Sequence, residues 1–539
     1  MVTRPQGLFR RLLTTERHFL ALLMGYLVAD VREKREEGTG RGVKFLFERL
    51  VGALAWPFLD RDLRTRSFPV QLRRRLERLG PTYIKLGQIL SLREDLLPRS
   101  ITDELKHLLN RLPVVPLPIL LEIVERELKR PVDEMFLWVD PTPLGSASIG
   151  QIHRATTKQG DPVILKVVKP GIRETLERDA TLLRGLGTIL QWLIPQFQPK
   201  KLVNEFCSYT LREADLRREA DNAETFAANF ADTPDIVFPA IFREFTSRSV
   251  MCMEFLDGLS PDSPAAQALP EDQRRYLTDL GASAIIRMLY RDGFFHADLH
   301  PGNLLILPGP KCGFIDLGMV GRLDDDLRRT LLYYYFALVT GDAENAARYL
   351  AAIAEPGPGA NPSGFRRDVA EIGNRWKRSS SFEDYSLGQL ILDSVSRGAQ
   401  YRMYFPVEMV LMVKALVTFE GVGHILLPGF DVAEVSKRHI RNIFLQQFSP
   451  LRLIAEGMRG APDLVDAMVK MPQLMTEGLR VLEKVARRPT ENPLAGMRGT
   501  LIAGSCLVAA AISMGFGAPW PVWGGLFVIA FFLAIRRGG

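Results

Sequence analysis

The chain has 539 residues, of which 47% are hydrophobic, so it can bury one large core or two and is neither a disordered tail nor a fibrous repeat. Its 69 basic and 62 acidic residues leave a formal charge of +7, well short of the concentrated basic surface of a nucleic-acid-binding protein, so no nucleic acid partner is expected. The four cysteines lie far apart without C-x-x-C spacing, which argues against a disulfide framework or a structural zinc site and indicates a reducing compartment.

The first predicted segment, residues 1–40, is an amphipathic helix in which apolar patches alternate with arginines. Such a helix can rest on a membrane or pack against the protein, and the sequence leaves both possibilities open. Residues 41–135 are predicted to form a further helical extension. Apolar residues recur there at helical spacing over 70–97 and 105–128.

A change of period marks a small mixed lobe at residues 136–257. Residues 148–154 and 162–168 are short β-type runs joined by a K-Q-G-D turn, which predicts a hairpin. The other predicted elements of this lobe are helices over 171–193 and 199–230 and strands near Ile236 and over 249–255.

The rest of the chain divides into a helical lobe and an apolar tail. Residues 258–490 are predicted to be helical, apart from strands and loops at 294–316. Residues 499–535 contain no Asp, Glu, Lys, Arg or His, and a Pro-Trp-Pro turn divides them into two segments, 499–518 and 520–535, each near the length that crosses a bilayer. Basic residues flank both ends, so the positive-inside rule places both ends in the cytoplasm. A buried hairpin in a soluble core is the alternative.

The most informative motif is H-A-D-L-H-P-G-N, followed by F-I-D-L-G. Phosphoryl transfer needs a group that receives or orients the nucleophile's proton, and oxygen ligands that hold Mg²⁺ against nucleotide phosphates. Asp298 can supply the first, and Asn303 and Asp316 the second. Their spacing resembles the catalytic loop and metal-binding aspartate of the protein-kinase superfamily. A transition-metal cluster of His296, Asp298 and His300 fits the pattern less well.

A kinase-like site also needs a cation on the α and β phosphates and a carboxylate that fixes this cation. Lys166 ends the apolar run V-I-L-K, where burial of its charge would be costly without a partner. Glu213, Asp215 and Glu219 follow on a predicted helix. Asp215 and Glu219 are four residues apart and favour a cation between them, whereas Glu213 can simply pair with Arg217.

The nucleotide loop departs from the protein-kinase pattern G-x-G-x-x-G, in which glycines let backbone amides approach phosphates. The loop predicted here consists of Gly145, Ser146, Ala147 and Ser148. The strand that ends at Glu254 has the position of the hinge beside adenine, so Glu254 joins the predicted nucleotide-binding residues. No A-P-E motif follows the second aspartate motif, and helix resumes by Asp324, so the long activation segment that docks protein substrates is predicted to be absent.

These features, together with Lys85-Leu86-Gly87-Gln88, resemble the atypical kinase-like family called ABC1, ADCK and UbiB, over about residues 79–318. The apolar tail is similar to that of bacterial members. In that family the K-x-G-Q segment belongs to an N-terminal extension folded over the active site, and an alanine-rich loop replaces the glycine-rich one. The resemblance therefore implies an α+β, two-lobed protein kinase-like fold with a helical N-terminal extension and a C-terminal transmembrane hairpin.

The resemblance also assigns residues. Lys85, Gly87 and Gln88 form a gate, and two acidic residues, Glu213 and Asp215, pair with the gate lysine. Glu219 is the partner of Lys166. The loop's first residue, Gly145, departs from the alanine commonly found there.

The implied function is that of an atypical kinase-like ATPase, or a small-molecule kinase, that binds ATP and Mg²⁺ and supports ubiquinone biosynthesis through ATP-coupled handling of quinone precursors. Protein kinase activity is not expected. The implied partners are membrane lipid, quinone precursors and quinone biosynthetic enzymes, and a homodimer is left open. The predicted location is the inner membrane, with the kinase-like domain facing the cytoplasm. Two alternatives remain: a lipid-binding scaffold that retains nucleotide without turnover, and a small-molecule kinase of the choline or aminoglycoside type.

Overall fold

The computed structural model describes residues 8–36, 45, 49–50, 60–91, 93, 97–108, 114–147, 149–193, 198–378, 387–430, 435–440, 443 and 524–525. The chain divides into two compact units, residues 1–447 and 448–539, and nearly all described residues belong to the first. The predicted membrane hairpin at residues 499–535 lies outside the described residues, except for 524–525.

The N-terminal part is helical, with α1 (Leu8–Glu36), α2 (Phe68–Leu79), α3 (Pro81–Leu90) and α4 (Arg99–Leu105). The Arg11 guanidinium on α1 donates to both carboxylate oxygens of Asp179 at 2.7 Å, and Asp179 is completely buried. One face of the predicted amphipathic helix therefore packs against the protein. Leu13 and Leu20, about half exposed, lie elsewhere on the same helix.

A sharp joint links α2 to α3. Gly80 between them has a φ of 97°, which favours glycine, and Pro81 opens α3 at the first helical position, where a proline is well tolerated. The two helices bury Leu76, Leu79 and Tyr83 against Phe206 from a later helix, so the extension has its own apolar core.

An antiparallel sheet follows, consistent with the predicted mixed lobe. Its strands are β1 (Phe136–Val139), β2 (Gly145–Ser146), β3 (Gly150–Thr157), β4 (Pro162–Val168) and β6 (Val250–Glu254). Their order is β1-β3-β4-β6, with β2 also paired to β3. The predicted hairpin is confirmed as β3 and β4, joined through Gly160 at a φ of 94°. Strand β4 is buried from Val163 to Val168 because neighbouring strands and helices cover it.

The helices that accompany the sheet are α5 (Leu117–Leu128), α6 (Val132–Met135), α7 (Ile172–Leu193), α8 (Pro199–Glu213) and α9 (Leu216–Asn229). The prediction of one helix over residues 199–230 is wrong, because the chain breaks at Ala214 and Asp215. Asp215 has an extended backbone, and its side chain accepts the Arg217 backbone N–H as the N-cap of α9.

The remaining part is mainly helical, with a few short strands. Its helices are α10 (Pro264–Gln267), α11 (Glu271–Arg287), α12 (Asp325–Val339), α13 (Ala343–Ile353), α14 (Pro362–Arg378), α15 (Leu387–Ser396), α16 (Gly398–Tyr401) and α17 (Val407–Leu426). Its strands are β5 (Ile236–Val237), β7 (Phe294–His296), β8 (Leu304–Leu307), β9 (Lys311–Phe314), β10 (Val320–Arg322), β11 (Glu355–Pro356) and β12 (Met403–Tyr404). Short 3₁₀ and π turns complete it at Arg243–Phe245, Met288–Asp292 and Pro301–Asn303. Strands β7 and β10 pair, and β9 lies between β5 and β8.

Within the described part of the chain, α17 is the one helix long and apolar enough to cross a bilayer by length and composition. About two thirds of its most apolar window, 67%, is buried inside the protein. Its Met409, Met412 and Val413 belong to the largest core, together with Phe295 and Tyr335. We therefore assign α17 to the protein interior.

Candidate active site

Two carboxylates from distant parts of the chain meet the ammonium of Lys166. Lys166 lies in β4, paired with Ile152 on one side and Met251 on the other. Its Nζ donates to Oε1 and Oε2 of Glu219 at 2.7 and 2.8 Å and to Oδ1 of Asp316 at 3.0 Å. We call Lys166, Glu219 and Asp316 the cleft triad.

Burial and charge act on the cleft triad in opposite directions. Burial disfavours the Lys166 ammonium, but attraction to Asp316 and Glu219 outweighs this and raises the pKa of Lys166. The same ammonium lowers the pKa of Asp316, whose side chain is 46% exposed. Burial raises the pKa of Glu219 to about 7 even though Lys166 opposes the shift. Asp316 therefore carries the firmly ionised carboxylate of the triad.

Hydrogen bonds of His296 and Asn303 fix the loop that carries Asp298. The Nδ1 of His296 accepts the Asp298 backbone N–H at 3.1 Å, and its Nε2 lies 3.2 Å from the Ile315 carbonyl. Burial lowers the pKa of His296, so the ring is neutral and its Nε2–H donates to Ile315. The Nδ2 of Asn303 donates to the Asp298 carbonyl at 2.9 Å. His296 therefore shapes the loop and holds it beside the segment before Asp316.

The backbone of Asp316 is in the left-handed region, with a φ of 53°. Non-glycine residues adopt this conformation at a cost, and such positions occur frequently at functional sites. Two hydrogen bonds hold the segment: the Ile315 N–H donates to the Asn303 carbonyl at 2.9 Å, and the Asn222 amide donates to the Leu317 carbonyl at 2.9 Å. The second contact comes from α9, the helix that also carries Glu219.

The donor chemistry at Asn303 and Asp316 fits Mg²⁺. A hard cation takes carboxylate and amide oxygens, and Mg²⁺ completes its shell with water and substrate phosphates, so two protein ligands suffice. Among the residues that the structure describes, no group of three or more His, Cys, Asp or Glu side chains could hold a metal. The transition-metal interpretation of His296 and His300 therefore gains no support.

The carboxylate of Asp298 has a partner that sequence reasoning missed. Its Oδ1 accepts from Nζ of Lys414 on α17 at 2.8 Å, and its Oδ2 lies 3.7 Å from Nε2 of His300. Lys414 is 116 residues away in sequence. Lys414 is the one lysine of α17, whose residues are mostly apolar, and this pattern marks the lysine as unusual without indicating its partner.

Comparison with known proteins settles the family. The ABC1 atypical kinase-like domain matches residues 107–350, and the UbiB helical domain matches residues 377–431. The probable protein kinase UbiB of Marinobacter nauticus is 32% identical over 433 residues, which cover 78% of this chain and 78% of that protein. This chain belongs to the UbiB family. The probable protein kinase UbiB of Vibrio vulnificus is 30% identical, covering 76% of this chain and 77% of its own length. The solved complex of Rv3197 with erythromycin from Mycobacterium tuberculosis is 23% identical, with a TM-score of 0.47, and covers 66% of this chain and 90% of that chain.

The K-x-G-Q segment, Lys85 to Gln88, lies on α3. Lys85 is buried there and forms an ion pair with Glu213, the last residue of α8. Gly87 faces Leu76 and Leu108 so closely that an added Cβ would overlap both side chains. Gln88, on the same helix, is half-buried. The predicted gate thus lies on a helix that packs on an apolar surface and is held by the ion pair between Lys85 and Glu213.

The prediction that Asp215 also pairs with the gate lysine is wrong. Its carboxylate binds the Arg217 guanidinium at 2.8 and 3.0 Å and caps α9. The side chain thus satisfies its charge beside its own helix start, and Glu213 alone contacts Lys85. The alternative pairing of Glu213 with Arg217 is likewise not observed.

The predicted nucleotide loop is a short turn between β2 and β3. Ala147 donates its N–H to the Gly150 carbonyl at 2.9 Å, and its carbonyl accepts from Nζ of Lys169 at 2.8 Å. In β2, Gly145 pairs with Ile152 of β3, and a Cβ added to Gly145 would meet no atom within 4 Å. Ser146 follows in β2, and Ser148 lies outside the described residues.

Glu254 lies at the exposed end of β6, where its carboxylate accepts the Ala240 N–H at 3.2 Å. The structure therefore brings together Lys166 with Glu219 and Asp316, Asp298 with Asn303, and Lys85 with Glu213, but not Asp215 with Lys85. The nucleotide, metal and catalytic assignments of these residues stay predictions.

A cavity of about 220 Å³ is lined by residues of the predicted gate helix α3, of α8 and α9, of the segment after Asp316 and of the start of α17. Apolar side chains on its wall include Ile89, Leu202, Phe206 and Leu411. Charged side chains include Lys85, Arg93, Glu205 and Glu408. Burial raises the pKa of Glu205, which lies 3.7 Å from Arg93. The cavity also reaches Glu219 and Gly318, so it adjoins the cleft triad.

Proposed function

We propose that this UbiB-family protein is a magnesium-dependent ATPase whose turnover is coupled to the handling of quinone precursors at a membrane. The kinase-like domain implies ATP and a divalent metal. The observation that carries the proposal is the cleft triad, in which a buried ammonium lies 2.7 Å from Glu219 and 3.0 Å from Asp316. This arrangement suits the binding of a triphosphate and its metal.

Magnesium-bound ATP would supply an activated phosphoryl group. Lys166 would bind the phosphates, and Glu219 would hold Lys166 in place. Asn303 and Asp316 would hold the metal through their oxygens. Asp298 would orient the nucleophile and receive its proton on the carboxylate, while His296 and Asn303 keep the Asp298 backbone in position.

Two features favour water or a small acceptor over a protein substrate. Helix α12 begins at Asp325, nine residues after Asp316, so the segment that usually docks protein substrates is short. The ion pair between Lys85 and Glu213 holds the gate helix beside the site. The adjoining cavity of about 220 Å³ has room for a small molecule, so phosphorylation of a small acceptor is the second candidate function.

The link to quinones and to the inner membrane rests on the family and on the sequence. Relatives named UbiB are about 30% identical over most of this chain. The charge-free segment at residues 499–535 would anchor the protein, with the kinase-like region on the cytoplasmic side. At that surface, opening and closing of the gate would make the buried head groups of the apolar quinone precursors accessible to biosynthetic enzymes.

The test combines ATPase assays with quinone analysis in a deletion strain. Wild type, Lys85→Ala and Asp316→Asn are assayed with and without liposomes, and Asp325→Asn, at a position whose side chain is 79% exposed, serves as the matched control. We expect liposome-stimulated turnover in wild type, altered stimulation in Lys85→Ala, and loss of both ATPase and quinone in Asp316→Asn. If Asp316→Asn abolishes ATPase yet sustains quinone production, the protein is a scaffold and the proposal fails.

A further inference from the structure

The contact between Lys414 and Asp298 joins two parts of the chain that the family comparison separates. Asp298 lies within the ABC1 kinase-like match, residues 107–350, whereas Lys414 lies within the helical domain match, residues 377–431. The ammonium is 2.8 Å from Oδ1 of Asp298. The two side chains are 24% and 26% exposed, so the pair faces a partly open space rather than the protein core.

Stability alone is a weak reason for a lysine at this position. The residues one helical turn before it on the same side of α17, Val410 and Leu411, are 6% and 5% exposed, so an apolar side chain would suit this face of the helix. A partly exposed ion pair contributes only about 0 to 1 kcal/mol. Placing a charged group on a mostly buried helix therefore gives little net stabilisation, and a role in the cleft explains it better.

Phosphoryl transfer is accelerated by fixed positive charge beside the phosphoryl group that moves to the nucleophile. Negative charge spreads over the oxygens of the transferred group, and a fixed cation in a water-poor site stabilises it. Lys166, the other lysine of the site, is shared between two carboxylates. His300, which also approaches Asp298, has a ring tied to its own loop through the Gly302 N–H at 3.1 Å, and an imidazole is not a permanent cation.

We propose that Lys414 is a further catalytic residue, which contacts the terminal phosphoryl oxygens of a bound nucleoside triphosphate while it pairs with Asp298. The inference rests on the proposed function, because it requires a triphosphate in the cleft. Lys414 donates hydrogen bonds and neither gains nor loses a proton. The helical domain thus completes an active site whose other named residues come from the kinase-like domain.

The first readout is binding, which does not depend on turnover. A non-hydrolysable ATP analogue and ADP, each with Mg²⁺, are titrated into full-length wild type, Lys414→Met and Lys414→Arg. The terminal phosphate is the group that distinguishes the two ligands. We expect Lys414→Met to weaken binding of the analogue by about tenfold or more, as for loss of a charge-assisted hydrogen bond, and to leave ADP within about twofold. Lys414→Arg should recover part of the loss.

The second readout separates kcat from KM in the ATPase assay. We expect kcat of Lys414→Met to fall by about a hundredfold, with partial rescue in Lys414→Arg. The matched control is Lys377→Met on α14, which removes a lysine whose Nζ donates to the Gly341 carbonyl at 3.1 Å. This control should change neither readout. Thermal melts of all variants check that each is folded.

Each outcome decides the matter. If Lys414→Met binds both the ATP analogue and ADP as wild type does, the proposed role of Lys414 is overturned. If it binds both ligands more weakly by the same factor, the role is overturned as well, and the ion pair is purely structural. These results leave the proposed function intact if wild type binds and hydrolyses ATP. If wild type binds neither nucleotide, the proposed function fails and the inference about Lys414 fails with it.

Discussion

Replacing Glu219 with glutamine tests whether burial or the neighbouring Lys166 ammonium controls the protonation of the Glu219 carboxylate. Burial raises the pKa of Glu219 from 4.5 to about 7, although Lys166 acts in the opposite direction. Between these two values the folded chain holds a proton that the unfolded chain has released. The free energy of unfolding of the wild type therefore falls as the pH rises through this window. The amide introduced by Glu219→Gln does not titrate, so the variant lacks this contribution.

The size of the effect follows from the shift. One pKa unit corresponds to about 1.4 kcal/mol, so a shift from 4.5 to about 7 gives roughly 2 to 3 kcal/mol between about pH 5 and about pH 8. Solvent screening reduces this little, because the Glu219 side chain is only 6% exposed. We expect the wild type to lose this amount of stability relative to Glu219→Gln across the window.

Denaturant unfolding of both proteins at several pH values measures the difference. Glu224→Gln is the control on the same helix. The side chain of Glu224 is 50% exposed, and its pKa is lowered by Arg243, so its difference from wild type should stay constant over this range. A difference that stays constant over this range would refute the reasoning, because Lys166 would then keep Glu219 ionised in the folded chain throughout. A wild-type advantage that grows with rising pH would refute it as well.

Three further substitutions test other features of the fold. Gly87→Ala places a Cβ against two leucine side chains and should lower the free energy of unfolding by about 1 to 3 kcal/mol, whereas Gly145→Ala meets no atom within 4 Å and should leave thermal melts unchanged. Arg11→Ala leaves the fully buried Asp179 without its guanidinium and should cost about 3 kcal/mol or more in denaturant unfolding; a loss below about 1 kcal/mol would contradict a buried pair. Asp215→Ala removes the N-cap of α9 and should lower the free energy of unfolding by about 1 kcal/mol while leaving nucleotide affinity unchanged. A large loss of nucleotide affinity would show that Asp215 belongs to the gate.

Local patterns in the sequence predicted the elements that local forces control. Short β-type runs on either side of the turn at Gly160 predicted β3 and β4, and the strand ends differ by only a few residues. The need of Lys166 for an acidic partner also followed from its place at the end of an apolar run, but the choice of Glu219, which the structure confirms, came from the family resemblance. The break at Asp215 was missed because helical apolar spacing continues across it, and the capping contact that decides it involves a single side chain.

Contacts between distant segments were the hardest to predict. Nothing near Lys414 indicates that it reaches Asp298, since the two residues are brought together by the packing of α17 into the core. The pairing of Arg11 with Asp179 spans 168 residues and has the same character. The family resemblance assigned both Glu213 and Asp215 to Lys85, and only the pairing of Glu213 is observed. Sequence spacing does not specify which of two nearby acids faces the lysine.

The interior position of α17 affects how the topology of the whole protein is deduced. An even number of bilayer crossings returns a chain to the side from which it started, and an odd number does not. If α17 were counted as a crossing beside the pair predicted in residues 499–535, the kinase-like region and the C-terminal end would be assigned to opposite faces. With α17 inside the protein, only the two segments predicted within residues 499–535 are counted as crossings, and that number is even. On that prediction, an impermeant reagent added from one side should reach both regions or neither.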